Sequence, residues 1–456
     1  MKALHDLTLA EASAAIAAKS LSPVEYVDGL LARIDATDPK LNAFITRRYD
    51  ATRKAAAEAE AEIARTGPRS ALHGIPLGIK DIIDVEGFAT TCHSKLRLDH
   101  MATADADVIG LLRAAGAIFP GKLSTHEFAF GGPCFDLPFP PARNPWNPDH
   151  HPGGSSSGSG AAVAARMLPA ALGSDTGGSI RHPSGHCGLV GMKPTYELVS
   201  RNGVFPLAYS LDHIGPMTRT VRDNALMLDH MVPHAGGRPS YTARLDDGVR
   251  GLRIGFVRHF HERDTVASDE VSAALADAAG VLAREGAVVS DIALPKLSEF
   301  ESVCRVLLTA EAVAVHETWL RERPGDYAEL TRSRMLPGFF FSSTDYIQAQ
   351  RRRTELTQAV DAAFAEVDLL LVANSMDPAC RIDDPQAVNY TYGRQARMPF
   401  NVSGHPAVAV MCGRSAGLGM PLGLQLVGRK HSEALLYQAA AGFERATPWK
   451  DTPPPL

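Results

Sequence analysis

The chain has 456 residues, 45% of them hydrophobic and 21% charged, an ordinary globular composition that excludes disorder as an overall description and is long enough for one large core or two smaller ones. Its 46 basic and 51 acidic residues leave a formal net charge of -5, too weak a positive field to neutralise many phosphates, so charge argues against nucleic acid as a partner. Six scattered cysteines without a Cys-x-x-Cys pair, and no apolar run of signal-peptide or membrane-span length, lead us to expect reduced thiols, a cytoplasmic location and no membrane contact.

From Thr8 to about Ile63 the apolar residues recur at helical spacing, as in Val24, Val27, Leu30, Leu31 and Ile34, with Ser22-Pro23 as a helix start. Residues 1–66 are therefore expected to form an N-terminal helical layer. Over residues 70–230 the texture changes to short apolar runs, such as 75–79 and 189–192, broken by Gly, Pro and Ser clusters and by Ala-rich helical stretches such as 161–167. This mixture predicts an α/β core whose loops carry the chemistry. Residues 234–250 are polar and turn-rich and read as a surface loop or linker. Beyond them, 252–257 reads as a strand, 271–285 as a helix, and 368–372, 407–412 and 422–427 as buried strands. Residues 251–456 are expected to complete the sheet and the substrate pocket of one domain spanning 1–456, with no internal repeat.

Three clusters stand out. In Gly74-Ile75-Pro76-Leu77-Gly78-Ile79-Lys80-Asp81 a lysine closes a strand-like apolar run. A lysine held there loses solvation of its charged form and moves toward a general base; the alternative is a snorkelling lysine with its head in water. The second is the small-residue stretch 151–160, containing Ser155, Ser156 and Ser157, which runs into the Ala-rich helix. It reads either as a close-approach loop at a helix N-terminus or as a flexible linker. The third, Gly173-Ser174-Asp175-Thr176-Gly177-Gly178-Ser179-Ile180-Arg181, offers a serine after two glycines. Unhindered N–H groups there suit an oxyanion hole, although a plain Gly-Gly turn accounts for them equally.

Other readings of the same residues are weaker. Gly154-Ser155-Ser156-Ser157-Gly158 matches the G-x-S-x-G elbow, which would make Ser156 the nucleophile, but Pro148 and Pro152 spoil the strand that motif needs upstream. No Gly-Lys-Ser/Thr follows the glycines, which disfavours a phosphate-binding loop. His182 and His186 would suit a metal only on a helix, and Pro183 with Gly185 argues against one. No metal and no cofactor are expected.

Taken together, the three clusters resemble the amidase signature family, and family-like text recurs at residues 187–195, 212–217, 399–401 and 423–428. The resemblance implies an α/β amidase signature fold, a central mixed β-sheet with helices on both faces. It also implies a Ser-cisSer-Lys triad in which Ser179 attacks the carbonyl, Ser155 relays its proton and neutral Lys80 is the base, with a cis peptide before Ser155. An acyl-enzyme on Ser179, an oxyanion hole of the N–H groups of Thr176, Gly177, Gly178 and Ser179, and supporting roles for Asp175 and Arg181 complete the expected site. Asp175 and Arg181 have the alternative of pairing only with each other.

Phe128, Phe130, Cys134 and Phe135 lie in Gly-rich surroundings that fit a pocket wall, or core packing. Arg381, or one of Arg351, Arg352 and Arg353, is a candidate for a substrate carboxylate, with a solvated face as the alternative. Residues 374–381 depart from the Pro-Thr-Thr-Pro-like stretch usual in relatives. The leading expectation is a stand-alone amidohydrolase of a small amide, urea-like compound or aryl/acyl amide, open to homo-oligomer formation, releasing ammonia or an amine and a carboxylic acid. The alternative is the glutaminase subunit of a tRNA-dependent amidotransferase, and a third is a catalytically silent binding protein on the same fold.

Overall fold

The computed structural model describes residues 2–233 and 239–456. Its strands are β1 (Phe44–Arg47), β2 (Leu77–Lys80), β3 (Gly121–Leu123), β4 (Ala170–Ser174), β5 (Val190–Lys193), β6 (Ile214–Thr218), β7 (Arg253–Phe256), β8 (Val288–Asp291), β9 (Leu369–Ala373), β10 (Ala407–Arg414) and β11 (Pro421–Gly428). They join in one mixed sheet in the order β1-β3-β2-β4-β6-β5-β10-β11-β9-β7-β8. β2 runs parallel to both β3 and β4, β7 runs parallel to β8 and β9, and the pairs between these blocks are antiparallel.

Helices cover both faces because alternate strand residues are apolar in both directions. Along β4, Ala170 and Leu172 join one buried cluster with the helices Val221–Met231 and Glu433–Arg445. Ala171 joins another with the helices Pro23–Leu41 and Ser157–Ala164. Strands buried on both sides need continuous apolar runs, and the all-buried β9, Leu369–Ala373, is one.

Local signals mostly match the elements. Ser22 caps the helix Pro23–Leu41 by accepting from the N–H groups of Val24 (3.0 Å) and Glu25 (3.3 Å), with proline in the first turn. The expected helix at 161–167 starts earlier, as Ser157–Ala164, so the Gly/Ser stretch supplies its first turn and is no linker. The segment Arg181–Cys187 is helical despite Pro183 and Gly185, contrary to the sequence expectation. Pro183 falls in the first turn, where an N–H has no intrahelical acceptor to lose. Of the expected loop or linker at 234–250, residues 234–238 lie outside the described residues. No helix among the described residues is long and apolar enough to cross a membrane.

Candidate active site

Lys80 ends β2 in the middle of the parallel block and is fully buried. Its Nζ lies 2.8 Å from Ser155 Oγ and 2.7 Å from Ser174 Oγ. Another buried lysine of this block, Lys122 on β3, pairs with Asp81 at 2.9 Å, whereas no carboxylate among the described residues lies within ion-pair distance of Lys80. Burial without a counter-ion pushes its pKa down to about 7, against the opposing pull of Asp175 and Asp212. At neutral pH a large share of Lys80 is therefore the free amine, able to accept a proton from a hydroxyl.

Ser155 lies just before the helix Ser157–Ala164, is fully buried, and follows a cis Gly154-Ser155 peptide. A β-carbon at Gly154 would overlap the ring of His126, so the close approach there requires glycine. The Ser156 N–H donates to the Ser179 carbonyl (3.3 Å), tying the second cluster to the third. Ser179 is half-buried and lines a cavity of about 540 Å³ together with Gly154, Thr176, Gly177 and Gly178. Lys80 and Ser155 are fully buried and Ser179 half-buried at the cavity wall, with no hydrogen bond between Ser155 Oγ and Ser179 Oγ among the described residues.

The loop carrying Ser179 is shaped by a buried ion pair. Arg181 Nη2 and Nε lie 2.9 and 3.0 Å from the two carboxylate oxygens of Asp175. Asp175 also accepts from the N–H groups of Gly178 (2.8 Å), Ile180 (3.2 Å) and Arg181 (3.3 Å), so it orders the loop as well as pairing. Burial alone would raise the Asp175 carboxyl, but the Arg181 charge and hydrogen bonds hold it well below the usual carboxylate range. Asn401 and Gln425 finish the network, accepting from Arg181 at 2.7 Å each. Arg181→Met should leave Asp175 buried and unpaired, costing about 3–5 kcal/mol; the urea unfolding midpoint would measure it, and an unchanged midpoint would contradict the role.

One expected oxyanion donor has a different use. The Gly178 N–H is taken by Asp175, while those of Thr176, Gly177 and Ser179 have no acceptor among the described residues. Gly178 itself sits at φ +125°, and a β-carbon there would overlap the Arg397 side chain.

Residues 25–437 match the family model described as Amidase. The chain belongs to the amidase signature family. It is 38% identical to a glutamyl-tRNA(Gln) amidotransferase subunit of Roseiflexus sp. (strain RS-1), over all of this chain and 99% of that one. Among solved structures, the peptide amidase of Stenotrophomonas maltophilia superposes with a TM-score of 0.85 at 30% identity, covering 97% of each chain. A chain from a structure described as an unexpected vestigial protein complex that reveals the evolutionary origins of an s-triazine catabolic enzyme gives 0.89 at 32% identity, covering 96% of this chain and 98% of that one.

The remaining sequence candidates sort by position. Ser156 is fully buried, its Oγ bonded to the Ser174 backbone N–H and carbonyl at 3.2 Å each, and it does not line the cavity. Ser156→Ala should cost about 1 kcal/mol of stability and keep most turnover of any amide substrate; loss of turnover with the fold intact would revive the elbow reading. Phe128 is not a cavity wall: it packs in an aromatic core with Phe205 (5.2 Å) and His316 (4.4 Å between centroids). Cys134 is buried away from the cavity, its thiol 3.4 Å from the Gly132 carbonyl, and Phe135 is exposed. Only Phe130 of the four lines the cavity.

Arg381 is also misassigned as a pocket residue. It is exposed and pairs with Asp383 (2.7 Å) and Asp149 (3.4 Å). Arg353 donates to the backbone carbonyls of Val402 and Ser210, and Arg352 pairs with Glu299 and Glu355. The cavity's arginines are instead Arg305, Arg334 and Arg397. Sequence reasoning missed these, along with Ser174, because each is brought in by distant packing. Asn401 lay in family-like text that offered a signal.

The helix Arg181–Cys187 puts His182 and His186 together with His151, with ring centroids 4.5, 5.2 and 5.6 Å apart. One nitrogen from each lies within 4.8 Å of the others. Nδ1 of His151 already accepts from the Gly153 N–H (3.0 Å). Burial, with neighbouring rings and Arg397 adding to it, lowers all three pKa values, His151 to about 4. The Arg397 charge acts on all three rings and no carboxylate joins the group, and both oppose a divalent cation.

Proposed function

We propose that the chain is an amidohydrolase that cleaves a C–N amide-type bond through an acyl-enzyme on Ser179, releasing ammonia or an amine and then a carboxylic acid. The contact between Ser155 and a wholly buried Lys80, with a pKa of about 7 and no counter-ion among the described residues, carries this reading. Neutral Lys80 takes the Ser155 proton as Ser155 takes that of Ser179, and Ser179 Oγ adds to the amide carbon. The N–H groups of Thr176, Gly177 and Ser179 hold the resulting oxyanion. The protonated Lys80/Ser155 pair returns the proton to the leaving nitrogen as the C–N bond breaks. Water then adds to the acyl carbon by the same relay, freeing the acid and Ser179. No step draws on a metal or cofactor, and one unit spanning the chain supplies every group.

Incubating the purified chain with amides, ureas and a fluorophosphonate tests this. Adduct formation at Ser179 together with amine or ammonia release supports it; labelling at Ser156 instead would overturn it. A second reading, the glutaminase subunit of a tRNA-dependent amidotransferase, is favoured by the names of full-length relatives such as that of Roseiflexus. Under it, glutamine hydrolysis would depend on partner subunits, and strong glutaminase activity appearing only on their addition would select it.

A further inference from the structure

The cavity beside Ser179 carries charge of one sign. Arg305, Arg334 and Arg397 line it, and among the described residues no aspartate or glutamate does. Arg397 is almost wholly buried, and its hydrogen-bond acceptors are neutral: the Asn374 carbonyl (2.7 Å), Asn374 Oδ1 (3.3 Å) and Ser375 Oγ (2.6 Å). Its Nε has no partner among the described residues. Asn374 and Ser375 belong to the stretch that departs from the usual relatives' text, so the departure in sequence is what cradles this guanidinium.

Arg334 repeats the pattern. It donates to the Gly131 carbonyl (2.7 Å) and Asn389 Oδ1 (2.6 Å), and lies over the Tyr392 ring at 5.6 Å, without an acidic partner among the described residues. Arg305 is exposed and makes no ion pair among the described residues, with Glu301 one helical turn away acting on it only at longer range. The Asp175 carboxylate nearby is already spent on Arg181. Buried charge left uncompensated is costly, and guanidinium forks match carboxylates in geometry. A bound anion would supply the missing counter-charge, while a substrate ammonium would meet three cations and no carboxylate.

We infer that this site takes an amide carrying a carboxylate and no ammonium group, a half-amide of a dicarboxylic acid in class, held through Arg334 and Arg397 with Arg305 at the entrance. The inference rests on the amidohydrolase reading and narrows it. It separates this chain's own preference from that for glutamine, whose amino group would sit among arginines.

Three probes of one carbon-chain length separate the cases: pentanamide (neutral), 4-carbamoylbutanoate (anionic) and L-glutamine (zwitterionic), with butanamide and 3-carbamoylpropanoate as a shorter pair. Two readouts on the full chain are kcat/KM and protection of Ser179 from fluorophosphonate labelling, so a slow substrate still reports. The anionic amide should exceed its neutral match about 30-fold or more and also exceed glutamine. Arg334→Met should cut the anionic-to-neutral ratio about tenfold, as should added salt in part. Parity of neutral and anionic amides, or glutamine equal to the anionic probe, overturns the inference while Ser179 labelling leaves the amidohydrolase reading standing. No labelling of Ser179 and no turnover of any probe overturns both.

Discussion

Ser179→Ala should lower kcat at least about ten-thousand-fold while leaving the circular dichroism spectrum and Tm close to those of the unsubstituted chain. The loss is large because the variant has no oxygen to form the acyl bond, and the relay from Ser155 to Lys80 is left to act on water alone. What remains is the binding cavity and the oxyanion donors, which account for modest acceleration of direct water attack. Stability should hold because Ser179 is half-buried and its Oγ makes no hydrogen bond among the described residues. Active-site titration with the fluorophosphonate beside kcat would check both halves. Activity within tenfold of the unsubstituted chain would remove Ser179 from the chemistry.

Lys80→Met should be nearly as damaging, with a loss of about a thousandfold or more, and it carries a pH signature that a structural role would not produce. Burial puts the Lys80 pKa at about 7, so the free amine dominates above that value and the ammonium below it. The kcat/KM of the unsubstituted chain should therefore fall with one proton as pH drops through about 7, and the residual activity of the variant should lack that limb. The stability sign is also fixed. The unfolded chain holds the Lys80 proton up to its ordinary 10.5 while the folded chain releases it near 7, so folding is progressively disfavoured as pH falls from 10.5 to 7. Lys80→Met removes that burden, and its Tm relative to the unsubstituted chain should be higher at pH 7 than at pH 10. An acid limb that persists unchanged in the variant would assign the titration to another group.

The catalytic candidates are legible in the sequence because their constraints are local. A lysine at the end of an apolar run, and serines among glycines, mark places where backbone must come close and where a charge must be buried. That singles out Lys80 and the two serine clusters, and the family resemblance then assigns Ser155 and Ser179 their roles. Ser22 before Pro23 likewise marks a helix start that needs no tertiary information. The helix at Arg181–Cys187 escapes a reading that treats proline and glycine as breakers without regard to their place in the first turn. The pocket wall escapes it for a different reason. Phe128 is drawn inward by partners as distant as Phe205 and His316, and Arg397 reaches the cavity through acceptors at Asn374 and Ser375. Nothing in the spacing of residues 128–135 or 351–353 carries that information.

The cavity draws its walls from two sources. One part of its lining is the loop at 176–179 with Gly154, held by Asp175, Arg181, Asn401 and Gln425. The rest comes largely from the helices Leu297–Glu322 and Glu329–Met335 and from residues 389–398, which supply Arg305, Arg334 and Arg397 but no group of the proposed proton relay. Under the proposed function, reaction and recognition therefore fall on separate stretches of chain. On that reading, exchange of the helical stretch would redirect the site to new compounds while the proposed proton relay stays untouched, so a change of substrate would not require a change of chemistry.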